Sequence, residues 1–225
     1  MSAGHPLDRA VWNALTTRQA HLAIAEGAVR RFDSDHALFA AADADGTADD
    51  WLALARATGR VALFETDPVV PRGLVEVDRI DCQQMICTAL TPGGRELAFE
   101  PLTDADGPEM LALATLTQPG PFFSKTHRLG SFIGVRQEGR LIAMAGERLN
   151  MDGFTEVSGV CTHPEHRGQG YAGALMRVVA QRILQRGDNV FLHARIGHAA
   201  TIAFYETLGF KRRTTPSYVV MEPAA

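Results

Sequence analysis

Hydrophobic positions along the chain change rhythm near residue 95. Before it, an alanine-rich stretch over residues 7–31 spaces Leu15, Leu22, Ile24 and Val29 as a helix would, with Thr17 as a cap. The acidic string 45–50 (DGTADD) introduces a second helix through residues 51–56. Residues 60–65, 74–77 and 85–88 read as short strands around a proline-containing turn at 66–73, and TPGG at 91–94 marks a boundary. Beyond it the pattern gives a strand at 96–102, a helix from a cap at Asp104 to Thr117, and a loop at 118–121 (QPGP) that shapes a substrate pocket. Alternating strands at 131–136, 140–149 and 154–162 follow, joined by tight turns. A helix at 169–186, a strand at 189–194, a helix at 198–208 and two closing strands at 210–213 and 217–221 complete the chain. The order predicts an α/β fold: a mixed sheet with helices on both faces over residues 96–225, preceded by a separate N-terminal region, 1–95.

Composition narrows the class. The 225 residues carry a net charge of −4, with the surplus in residues 1–95 and no basic run, so nucleic acid is not expected as a partner. No stretch is apolar enough to cross a bilayer, so no membrane association is expected. Three cysteines and the lack of a basic-apolar N-terminal signal point to a reducing compartment, the cytoplasm. No metal is expected. Cys82 and Cys87 lack zinc-finger spacing, the acidic string at 45–50 fails the calcium-loop register, and His163, His166, His193 and His198 show no helical i, i+4 ligand pair.

The chemistry concentrates where the strand run 155–162 (TEVSGVCT) leads through HPEH into 167–173 (RGQGYAG) and an apolar helix. Gly168 and Gly170 let backbone approach a ligand, and the unpaired N–H groups opening the helix suit a pyrophosphate. A dinucleotide turn would also fit the glycines of 168–173, but the acidic residue it needs about 20 positions on is absent.

Arg167, Gly170 and Ala172 occupy the defined positions of [Q/R]-x-x-G-x-[G/A], and this stretch resembles the cofactor signature of the GNAT superfamily of N-acetyltransferases. A second element, 196–210 (IGHAATIAFYETLGF), resembles that family's N-x-x-A-x-x-x-Y-x-x-x-G-F: Tyr205, Gly209 and Phe210 fit, while His198 stands for asparagine and Thr201 for alanine. Within the superfamily the tract 156–164 with its adjoining Arg-Gly-x-Gly is most similar to the FR47-like subgroup, whose acceptors are diverse. The resemblance covers about residues 96–222 and implies the GNAT acyl-CoA N-acyltransferase fold. Residues 1–95 then form a helical extension or a degenerate partial GNAT-like half, with a structural or substrate-shaping role.

The resemblance implies transfer of an acetyl group from acetyl-CoA to a primary amine, of a small molecule or a peptide, by direct attack in a ternary complex. Alternatives are a non-catalytic acyl-CoA-binding or sensing module and an acyltransferase using a longer acyl-CoA. A homodimer is compatible with it. The pyrophosphate would lie on Arg167, Gly168, Gln169, Gly170, Tyr171, Ala172 and Gly173; Val160, Cys161 and Thr162 would flank the pantetheine arm as an added strand; His198 and Phe204 would complete the cofactor site. Tyr205 is the implied acid for the leaving thiolate, or else a tyrosine packed beside Phe204 and Phe210. Glu156, eleven residues before Arg167 and by alternation facing with Ser158, Val160 and Thr162, is the candidate base, or else an exposed ion pair with Arg148 or Arg136. Glu147 is a weaker substitute, and ordered water another route. Cys161 reads as a packed hydrophobe. Phe122, Phe123, His127, Phe132 and Tyr218 are expected around an acceptor cleft for an amine with an apolar portion.

Overall fold

In the computed structural model, which describes residues 4–224, the alanine-rich opening does not stay helical. α1 (Ala10–Thr16) buries Ala10, Val11, Ala14 and Leu15; the chain then returns as the hairpin of β1 (Ile24–Glu26) and β2 (Val29–Arg31). Alanine supplies helix propensity but no reason to continue, and Gly27, at φ 53°, makes the hairpin turn between β-branched residues. Thr17 ends α1 instead of starting a helix: its Oγ1 donates to the Asn13 carbonyl at 2.5 Å. β3 (Ala40–Ala42) completes a three-stranded antiparallel sheet. α2 (Ala48–Thr58) begins with a reciprocal cap, in which Thr47 Oγ1 accepts from the Asp50 N–H at 3.2 Å and Asp50 accepts from the Thr47 N–H at 3.0 Å. The acidic string caps a helix.

β4 (Val61–Glu65) and β5 (Leu74–Cys87) then leave this small sheet and enter the main one. Residues expected as two short strands, 74–77 and 85–88, form one 14-residue strand. The remaining elements are β6 (Glu100–Leu102), α3 (Gly107–Thr117), β7 (Phe132–Gln137), β8 (Arg140–Met151), β9 (Phe154–Thr162), α4 (Tyr171–Gln185), β10 (Asn189–Arg195), α5 (Ala199–Thr207), β11 (Lys211–Thr214) and β12 (Ser217–Pro223). Among the described residues they build a nine-stranded sheet in the order β4-β12-β5-β10-β9-β8-β7-β6, with β11 also paired to β5. β5 therefore lies between β10 on one side and β11 and β12 on the other. The boundary expected near residue 95 falls in a connection between two strands of one sheet. Segment 91–95 also crosses α4, where Arg177 donates to the Thr91 carbonyl.

Strand alternation assigns the faces. On β10, Val190 and Leu192 join the core under α4 and α5, while Phe191 between them packs with Leu15 of α1 and Met151 of β8. α3 covers the same face as α1 further along the sheet, through Met110, Leu113, Met144 and Phe132. This sheet with helices on both faces is the α/β architecture expected. One departure from regular pairing positions the site. Among the strands of the described residues one pair is parallel, β9 with β10, in register at residues 154–156 against 189–191, and beyond that the strands separate. A fork opens between them.

Candidate active site

Gly159 sits where the fork opens. It has φ 63°, and three residues of β8, from Met144 to Gly146, oppose four of β9, from Ser158 to Cys161. This bulge turns the strand over: Val160 packs with the core under α4 and Cys161 with the core under α3, so Glu156 and Val160 do not share a face. A lone glycine within a strand run is a bulge signal, and TEVSGVCT carries it. A Cβ at position 159 would lie 2.7 Å from the Phe132 ring, which is why glycine is required there. On its outer edge, β9 beyond the fork has no strand partner.

The turn after β9 ends in α4, whose N-cap is Gly170 at φ 81°, following Gly168 at φ 77°. No side chain caps the helix, so the first-turn N–H groups have no intrahelical partner. A Cβ added at either glycine would meet nothing within 4 Å; both face open space. The turn is held from outside by Arg95, whose guanidinium lies 5.2 Å from the Tyr171 ring centre and donates to the Gln169 carbonyl at 2.6 Å.

A chamber of about 470 Å³ lies over this turn. Val160, Cys161 and Thr162 of β9, Arg167, Gly168 and Gly170 of the turn, Tyr171, Ala172 and Gly173 of α4, and Phe204 of α5 line it. Gly173 serves packing: a Cβ there would come to 3.1 Å from Phe204. Gln169 and His198 do not line it. Gln169 contributes its carbonyl to Arg95, and His198, at the N-cap of α5 without a side-chain cap bond, faces a second chamber. Thr162 Oγ1 is buried without a hydrogen-bond partner among the described residues, and burial raises the Cys161 thiol to about 11, leaving that cysteine a packed side chain.

The second chamber, about 410 Å³, occupies the fork between β9 and β10 and is lined on one side by the 118–121 loop. Tyr205 lines both chambers, together with Val160, Arg167 and Thr201. Its ring packs 5.6 Å from Phe204 and 6.1 Å from Phe210, and burial raises its phenol to about 12. Of the aromatics expected around an acceptor, only Tyr218 is here. Phe122 and Phe132 pack on each other at 5.8 Å, His127 pairs with Asp104 at 3.0 Å, and Phe123 does not line the chamber. The aromatic wall is instead Phe39, Phe64 and Tyr218, with centroids 5.6 to 5.8 Å apart. Phe39 and Phe64 come from the N-terminal region, where no motif announced them.

Glu156 reaches neither chamber. It is fully buried, accepting from Arg148 Nε at 2.9 Å and Nη2 at 2.7 Å, and from His193 Nδ1 at 2.7 Å. Burial opposes its ionisation, but the Arg148 charge and these hydrogen bonds outweigh it and hold the carboxyl at about 2. Glu156 lines neither chamber and both its oxygens are already engaged, so the expectation of a base facing the acceptor with Val160 is corrected. It forms an ion pair with Arg148, but inside the protein and not on an exposed face. Glu147 is also buried, held by Arg186 at 2.9 Å, and lines neither chamber. Gln84 fixes the His193 tautomer. Its Oε1 accepts from Arg213 at 2.7 Å, so its amide nitrogen faces His193 Nε2 at 3.1 Å, and the ring proton sits on Nδ1 toward Glu156. His163, Glu165 and His166 gather ligand atoms within 4.8 Å, but both His163 nitrogens are taken, by Arg140 and by the Glu165 N–H.

A family model described as FR47-like protein matches residues 132–219, the span holding the bulge, the glycine turn and Tyr205. A GNAT-family protein from Novosphingobium aromaticivorans DSM 12444 shares 40% identity over 99% of this chain and 100% of its own, with a TM-score of 0.92. The chain belongs to the GNAT family of acetyltransferases. A GCN5-related N-acetyltransferase from Kribbella flavida, 16% identical over 96% of this chain and 94% of its own, has the same fold at a TM-score of 0.64. Comparison with curated proteins finds no match. GNAT acetyltransferases carry out acyl transfer, and in this chain two chambers meet at Tyr205.

Proposed function

We propose that this GNAT protein transfers the acetyl group of acetyl-CoA to a primary amine by direct attack within a ternary complex, in the cytoplasm. The observation that carries the reading is the junction of the two chambers at Tyr205. The glycine turn and the open first turn of α4 would hold the pyrophosphate, since an anion supplies what those N–H groups lack. The unpaired edge of β9 and the orphaned Thr162 hydroxyl would receive the amide-rich arm of the cofactor. The acceptor would enter from the fork.

In this scheme the amine nitrogen attacks the thioester carbonyl, and the tetrahedral oxyanion is met by backbone N–H beside the bulge. Collapse breaks the carbon–sulfur bond and yields the amide. The departing thiolate takes the proton of Tyr205, which burial keeps protonated at neutral pH, and solvent returns a proton to the phenolate. The amine proton leaves through solvent in the fork, because among the described residues no carboxylate lines that chamber.

Thiol release from acetyl-CoA, followed against a panel of amines with CoA binding measured in parallel, tests the reading. Acceptor-dependent thiol release matched by acetylated product is expected. Tight CoA binding with no acceptor-dependent release would identify a sensing module, and faster release from longer thioesters would change the acyl group.

A further inference from the structure

The acceptor chamber has a polarity opposite to that of the chain. The protein carries a net charge of −4, yet among the described residues no aspartate or glutamate lines the fork. Arg148, Arg195 and, where the two chambers meet, Arg167 do. Arg148 spends Nε and Nη2 on Glu156, and its Nη1 makes no hydrogen bond among the described residues. Arg195 is exposed and makes no ion pair among the described residues. Arg148 and Arg195 line the chamber with Cys82, which pairs in register with Arg195. Beside them stands the apolar wall of Phe39, Phe64 and Tyr218, and Arg148 lies 4.9 Å over the Phe39 ring.

A simple alkylammonium would enter this chamber against three arginines, of which, among the described residues, only Arg148 has a carboxylate partner, Glu156, and that carboxylate does not line the chamber. An amine bringing its own carboxylate would not. We propose that the acceptor is an α-amino acid with an aromatic or bulky apolar side chain, its carboxylate held by Arg148 Nη1 and Arg195 and its side chain against Phe39, Phe64 and Tyr218. The same cations favour the neutral form of the α-amine, which is the form that attacks. A chamber of about 410 Å³ suits a ligand of this size. The inference rests on the acetyl-transfer reading above and adds the acceptor class.

The test is acetyl-CoA-dependent thiol release with L-phenylalanine, phenylalaninamide, phenethylamine and glycine, with CoA binding followed by calorimetry. L-phenylalanine should exceed both analogues lacking the carboxylate by about tenfold or more in kcat/KM, the worth of a charged hydrogen bond. It should exceed glycine by a similar factor, from burial of the ring. Arg195→Gln should bring the ratio of L-phenylalanine to phenylalaninamide toward one, mainly through KM. Equal or faster turnover of the amide or the plain amine overturns the proposal, as does no release with any amino acid while CoA still binds. Failure to bind CoA would remove the acetyl-transfer reading itself and this inference with it.

Discussion

Tyr205 is the proposed acid, whereas Glu156 is a buried partner of Arg148 and His193. Removing the Tyr205 hydroxyl in Tyr205→Phe keeps the ring packed on Phe204 and Phe210 but leaves the thiolate without an acid. kcat should fall by about 10²-fold or more with acetyl-CoA affinity retained, as stopped-assay kinetics and calorimetry would show. Glu156→Gln should act on stability. It leaves the Arg148 charge uncompensated in the core, a loss of about 3–5 kcal/mol measurable by denaturant unfolding. The pH dependence has a definite sign: with Glu156 lowered from 4.5 to about 2 on folding, its contribution is complete above pH 4.5 and fades as pH falls toward 2. Between those values the wild type should lose stability more steeply than Glu156→Gln. The motif spacing that pointed to Glu156 located the strand correctly, but which way a side chain faces depends on the bulge at Gly159 and on the partners that neighbouring strands bring. Arg148 and His193 carry no motif, so the sequence alone could not show that the carboxylate was already claimed.

At the scale of elements, the glycine turn was legible because its chemistry is local: positive φ, no Cβ and a helix start all lie within seven residues. Gly170→Val should therefore be informative. A β-branched residue at φ 81° is strained by about 1–2 kcal/mol, and the turn relieves this by leaving the conformation that exposes its N–H groups. CoA affinity should weaken by about tenfold with little change in melting temperature, as titration calorimetry and thermal unfolding together would show. The β8–β9 hairpin, α4 and α5 were legible for the same local reason. The helix expected over residues 7–31 and the split of residues 74–87 into two strands misled because alanine-rich and charged segments lack a decisive period. Their state is fixed by tertiary partners, α1 by the core with Phe39 and Leu149, and β5 by strands on both sides.

At the scale of the whole molecule, residues 1–95 are part of the sheet that carries the site. β5 separates β10 from β11 and β12, and Phe39 and Phe64 wall the second chamber. A fragment of residues 96–225 would expose β10 along one edge and lose Phe39 and Phe64, two of the three aromatics walling the second chamber. It should aggregate or lack cooperative unfolding in circular dichroism, whereas a soluble, cooperatively folding fragment would show that the two regions are separable. No signature in residues 1–95 announced this role, because a strand inserted between distant partners is specified by long-range pairing.

In the proposed reaction the glycine turn and Tyr205 hold the two ends of one thioester cofactor. A crystal structure with acetyl-CoA bound should show the pyrophosphate on the N–H groups of residues 168–173 and the sulfur within hydrogen-bond reach of Tyr205 Oη. A pyrophosphate bound elsewhere, or a sulfur remote from that hydroxyl, would contradict that reaction.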